Sequence, residues 1–293
     1  MTFEEYQEQA WTNHATDAAT VASGFTTAMT LVETSAQIEQ FMVLVTHVMG
    51  EHLGRWNDGI EILQQLQKHP KFVSGSETEK AGLRSIAILK LCADGSSKPD
   101  SFSVSDQIRI LATAASALSS QDPLQAKVLL NRALEMAKSG IDQKDPANRA
   151  LAVTGNNLAC ALEEKLDRNS DETELMILAA QTGRKYWELA GTWLHISKAE
   201  YRLAMTYLQA KDFNKALQHA QNSLRQRQEH KAGNVDMFYA YEGLAVVERA
   251  RKNETAFQEA TAQAQIYFAQ LTSEEKTWCE PSLKSLNKNG ARK

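Results

Sequence analysis

Few residues in this chain have the type and spacing to do chemistry. His47 and His52, with Glu51 beside the second, come closest to a metal motif. Paired helical ligands are set four residues apart, on one face. Five residues of α-helix turn through about 500°, so the two imidazoles are expected to point apart and to play structural or surface roles. Cys92, Cys160 and Cys279 have no partner at Cys-x-x-Cys spacing, which leaves zinc and dithiol chemistry unsupported. Odd in number and scattered, they build no disulfide framework and fit a reducing compartment. There is no Gly-x-x-x-x-Gly-Lys loop, no Gly-x-Gly-x-x-Gly after a strand and no Gly-x-Ser-x-Gly. Glu163-Glu164 and Asp171-Glu172 fall at a helix end and a helix start, where charge is ordinary. Trp187 and Trp193 flank Gly191 and are expected to be packing anchors. The expectation is therefore no catalytic residue, no cofactor and no metal.

The elements that would position any site are helices. In 293 residues there are only five Pro and 14 Gly, and Ala, Leu, Gln, Glu and Lys are plentiful, as in a helical protein. That length holds one to three domains and a large core. A net charge of −4 argues against an electrostatic grip on nucleic acid. The basic tail after Glu280 (Lys284, Lys288, Arg292, Lys293) reads as a frayed, solvated terminus. The first residues show no basic, then apolar, then small-residue signal, and no apolar run reaches about 18 residues. No membrane partner and a cytoplasmic location are expected.

Thr2-x-x-Glu5 reads as a capping box opening a helix through about Leu31, with a break near Gly24. A second helix is expected over residues 36–52. The tight turn 53–56 then leads into a third over 57–69, ended by Pro70. Ser76-x-x-Glu79 is expected to cap a helix through about Cys92. Residues 94–103, rich in Gly, Ser and Pro, form the most loop-like stretch. Beyond it, Asp122-Pro123, Asp145-Pro146, Ser170-Asp171-Glu172 and Thr272-x-x-Glu275 each read as a helix start.

The most regular stretch is residues 199–221. Leu203, Ala204, Tyr207 and Leu208 mark one apolar stripe, Asp212 caps the next helix, and Phe213, Ala216, Leu217, Ala220 and Leu224 mark another. Leu203-Ala204-x-x-Tyr207 followed by Ala216 resembles the Leu-Gly-x-x-Tyr and spaced Ala of the tetratricopeptide repeat. Glu200 stands where that family often has Trp, and no Pro closes the unit. Similar steps fall at Leu111, Leu158, Leu203 and Leu244, at intervals of 47, 45 and 41 residues. Such units of roughly 40 residues, with Asn-Asn-Leu-Ala in a first helix, are similar to those of kinesin light chain and of bacterial tetratricopeptide signalling proteins. The resemblance covers about residues 105–270, and 36–70 more faintly. It implies an all-α fold: a right-handed superhelix of stacked antiparallel helix pairs. Residues 1–94 form a less regular helical region, 104–271 the array, and 272–293 a capping helix and tail.

The resemblance also implies a concave face lined by the first helix of each pair. On it would lie Asn156, Lys198, Tyr201, Met205, Tyr239 and Glu242, with Asn157 and Arg202 at the rim. Asn amides carry donors and an acceptor and suit the backbone of an extended peptide; satisfying a neighbouring helix end is the other role they fit. Tyr201, Tyr239 and Met205 suit an apolar floor, or packing between pairs. Lys198 and Arg202 suit an acidic group or a terminal carboxylate, or plain solvation. The leading expectation is a non-catalytic adaptor or scaffold that binds a protein or extended peptide. A ligand-responsive regulatory sensor is the alternative, and an enzyme with an unrecognised helical active site the third reading. Self-association as a homo-oligomer, and a groove filled by the chain's own first helix, are left open.

Overall fold

The structure, a computed structural model, describes residues 1–287; Lys288, Arg292 and Lys293 of the basic tail lie outside them. The fold is all-α, 78% helical, and consecutive helices pack on one another. No strand occurs among the described residues, and none of their helices is long and apolar enough to cross a membrane. The chain divides into two compact units, Met1–Thr154 and the part from Gly155 onward.

The first unit holds α1 (Phe3–Asn13), α2 (Ala18–Ser23), α3 (Phe25–Met29), α4 (Ser35–His47), α5 (Trp56–Leu66), α6 (Glu77–Ala93), α7 (Val104–Ala117), α8 (Pro123–Lys138) and the start of α9 (Pro146–Glu164). Thr2 and Glu5 do form the capping box. The helix they open stops at Asn13, however, not near Leu31. Asp17 starts α2 by accepting the Thr20 amide, and Gly24 joins α2 to α3. Packing explains the breaks. Phe3 and Phe25 both lie edge-on to Phe41, at 5.8 and 5.5 Å between ring centroids. A continuous helix would hold Phe3 and Phe25 about 33 Å apart. Three buried Phe side chains, each worth about 1.5–3 kcal/mol, outweigh the few backbone bonds lost in folding the segment back.

A second departure follows α4. From Val48 to His52 the backbone winds as a π turn, closed by Leu53 N donating to Val48 O at 3.1 Å and held by Trp56 Nε1 on Gly50 O at 3.3 Å. Gly50 lets this wide turn lie against Leu89, and Gly54 leaves it in the left-handed region (φ +60). Ser76 makes no capping bond; Glu79 instead accepts the Gly75 amide at 2.6 Å. Within residues 94–103 a short 3₁₀ turn, Pro99–Ser101, buries Pro99.

The second unit is more regular. It holds the rest of α9, then α10 (Ser170–Ala190), α11 (Trp193–Gln209), α12 (Phe213–Glu229), α13 (Asn234–Ala250), α14 (Glu254–Ala269) and α15 (Ser273–Asn287). The cap of α10 is Asn169 rather than the Ser170 step, in a capping box with Glu172. Helices α11, α12 and α13 are each 17 residues long. Lys211, Lys231 and Lys252 sit in the left-handed region at the ends of α11, α12 and α13. Each precedes a residue whose amide reaches five back: Asp212 to Tyr207 O, Ala232 to Arg227 O, Asn253 to Glu248 O. These are Schellman closures, with Lys where Gly is usual. Trp187 stacks on His195 and Trp193 on His230, at 4.4 and 4.5 Å. Phe238, Ala245, Ala260, Ala264, Leu271, Cys279 and Leu286 form a core that ties α13 and α14 to α15.

Candidate functional site

In the second unit, consecutive first helices touch each other as well as their partners: α11 lies against α13, and α13 against α15. Polar side chains bridge them. On α9, Asn156, Cys160 and Glu163 follow at i, i+4 and i+7, hence on one face. The Glu163 carboxylate accepts from Arg202 of α11, and from Thr206 Oγ1 at 2.5 Å. Burial pushes the Glu163 carboxyl above its usual value even beside this guanidinium. One step along, Tyr201 Oη donates to Glu242 Oε2 of α13 at 2.9 Å. Burial raises that phenol well above 10. Its ring is accommodated by Gly243, where a Cβ would stand 2.8 Å from Tyr201 Cε2. Finally, Arg249 Nη1 of α13 donates to Ser285 O of α15 at 3.0 Å.

The residues singled out by sequence thus separate into two kinds. Tyr201, Arg202 and Glu242 are engaged in links between helices. Lys198 is exposed, and Asn156, Asn157, Met205 and Tyr239 are half-buried. Among the described residues, Asn156 makes a weak contact, Nδ2 to Cys160 Sγ at 3.9 Å. Tyr239 turns toward α15, where burial and the Cys279 thiol push its hydroxyl up to about 12. Burial likewise holds the Cys160 thiol at about 11, a thiol and not a nucleophilic thiolate.

Within the second unit, Arg227 escaped the sequence reading. Arg227 of α12 is 2% exposed, its guanidinium lies 6.0 Å from the centre of the Tyr201 ring, and Nε and Nη1 have no hydrogen-bond partner among the described residues. The signal was present: Ala216, Ala220, Ser223 and Arg227 follow one another at helical spacing, so a cation stands on an otherwise small-residue stripe.

Among the described residues, metal-ligating side chains gather at one place, in the first unit. Ring nitrogens of His14, His47 and His52 all lie within 4.8 Å of one another. His47 Nε2 and His52 Nε2 are 3.2 Å apart. The spacing argument against this pair assumed an α-helix; the π turn, bonded i to i+5, sets the fifth residue near the first instead. Burial lowers the pKa of His14 and of His52, which favours neutral imidazoles. His14, 33 residues before His47 and beyond a helix break the sequence did not show, carried no signal of its own.

Compared with known protein families, curated proteins and solved structures, the chain matches none.

Proposed function

We propose that the helix pairs of the second unit form a tetratricopeptide-like superhelix, and that the protein is a cytoplasmic, non-catalytic adaptor that binds an extended peptide of a partner protein along the face of α9, α11 and α13. One observation carries this reading: among the described residues the half-buried Asn156 amide makes only a weak contact, on a face where Glu163 is paired with Arg202 and Tyr201 with Glu242. The Glu163–Arg202 and Tyr201–Glu242 links support it by fixing the first helices relative to one another. A preformed surface spares a peptide part of the ordering cost of binding. In this reading Arg202 and Glu242 set the groove, while Asn156 and Asn157 meet the peptide backbone. Met205 and the Tyr201 ring supply apolar contact, and exposed Lys198 meets an acidic side chain or a terminal carboxylate.

Selection from a displayed library of random extended peptides tests this. Peptides recovered on the wild-type protein should lose at least about tenfold in affinity with Asn156→Ala, about 1.4 kcal/mol, while the helical circular dichroism stays unchanged. Equal binding by wild type and by Asn156→Ala/Lys198→Ala would place the peptide site elsewhere.

A further inference from the structure

His14, His47 and His52 come from three separate places: the end of α1, the end of α4 and the end of the π turn. Two of the rings are already oriented as metal ligands are. His14 Nδ1 is 2.6 Å from Trp11 O, and since a carbonyl can only accept, that nitrogen carries the proton. His47 Nδ1 is 2.9 Å from Glu51 Oε1, which fixes its proton in the same way. In both rings Nε2 is left with its lone pair outward. The Glu51 carboxylate is itself fixed, because its other oxygen accepts Ser116 Oγ from α7 at 2.7 Å. A carboxylate behind a histidine is the usual outer shell of a metal-bound imidazole. Trp11 closes one side, its ring 5.2 Å from His14 and 5.3 Å from His47.

The spacing fits an ion. Two nitrogens bound tetrahedrally at about 2.0–2.1 Å stand about 3.3–3.4 Å apart, and His47 Nε2 and His52 Nε2 stand at 3.2 Å. Three imidazole ligands suit zinc and its neighbours copper and nickel, whereas calcium and magnesium require oxygen. Glu51 has both oxygens engaged and so acts as a positioning residue. Cys92, whose thiol points to Ala114 O at 3.7 Å and is held at about 12 by burial, is no part of the set.

We infer that His14, His47 and His52 form a three-histidine site for a divalent transition metal of the zinc class, with Glu51 orienting His47 and with open coordination positions on the solvent side of the exposed His52. On binding, the His52 Nε2 proton moves to Nδ1, which frees Nε2 for the ion. This inference is independent of the peptide-binding proposal, since it concerns other residues in the other unit.

The test uses the full chain, stripped of metal by chelator. Zn²⁺ is added calorimetrically, and Co²⁺ is followed by its visible absorption. One equivalent of Zn²⁺ should bind, and Co²⁺ should give the intense bands of a low-coordinate nitrogen site. His14→Asn and His52→Asn should each abolish the one-to-one binding with the helical spectrum retained. Glu51→Gln should weaken it roughly 10–100-fold, as loss of an outer-shell partner does. Equal Zn²⁺ uptake by the wild type and by His14→Asn/His47→Asn/His52→Asn would overturn the site. So would full-strength binding by His14→Asn, which would leave a mere surface pair. Should His47→Asn fail to fold, the half-buried His14 and exposed His52 variants still decide the question.

Discussion

Gly155 of α9 and Gly183 of α10 cross so closely that a Cβ on Gly155 would stand 2.5 Å from the Gly183 nitrogen and 2.6 Å from Ala179 O. Both neighbours are backbone, so no side chain can swing aside and the two helices must separate. Gly155→Ala should therefore cost about 3 kcal/mol, the upper range for an overpacked core, although alanine is the better helix former by about 1 kcal/mol. Urea unfolding compares the two proteins; a gain in stability would show that the crossing is looser than it stands here.

Lysine at the left-handed turns gives the opposite expectation. A side chain at φ of about 50–61°, as at Lys211, Lys231 and Lys252, costs roughly 1–2 kcal/mol. Glycine relieves that strain and gives back about 0.5–1 kcal/mol in chain entropy. Lys211→Gly and Lys252→Gly should each stabilise by about 0.5–1 kcal/mol, read as a higher urea midpoint at constant slope.

Acid should act through Glu200. Burial pushes this carboxyl up, but hydrogen bonds from His219 and Arg184 outweigh burial and hold it below 4.5. The unfolded chain then binds the proton more readily, so the stability Glu200 contributes is complete above the ordinary carboxylate value and is lost as pH falls from there through the lower native value. Glu200→Gln should be about 2–3 kcal/mol less stable than wild type at neutral pH. The gap should close as pH falls below 4.5, which equilibrium unfolding across pH would reveal. A pH-independent gap would assign the effect to packing.

Gly54 closes the π turn at φ +60, and a Cβ there would meet the movable end of Gln121. Gly54→Ala should cost about 1–2 kcal/mol in backbone strain. Because His52 lies two residues earlier, its ring resonances should shift in the variant while those of His230, in the other unit, stay in place. Nuclear magnetic resonance of the imidazole protons reads both at once.

The all-helical fold was legible from composition and periodicity, and so was the pairing of consecutive helices after Ser105. Asp122, Asp212 and Thr272 cap the helices their sequence positions suggested. What stayed hidden depended on partners distant in sequence. Gly24 marked the break between α2 and α3, but nothing within residues 13–24 shows that Phe3 and Phe25 must both reach Phe41, so the break between α1 and α2 was missed. The π turn was missed because helical periodicity assumes one pitch throughout. That assumption also sent His47 and His52 to opposite sides. Among the residues singled out by sequence, Tyr201, Arg202 and Glu242 are engaged between helices. Whether Arg202 meets a partner protein or Glu163 is a matter of register between α9 and α11, which no local pattern encodes.

The lysine turns carry one further consequence, for how such a chain can change length. Lys211 precedes the cap residue Asp212, and Lys252 precedes the cap residue Asn253, with the same backbone geometry at both junctions. Excising residues 212–252 would splice Lys211 directly onto Asn253 and restore an equivalent joint. The excised block is 41 residues, the same as the interval from Leu203 to Leu244. A loss or duplication of that size keeps this junction in frame with its helix. At these two turns the chain can grow or shrink by a whole helix pair.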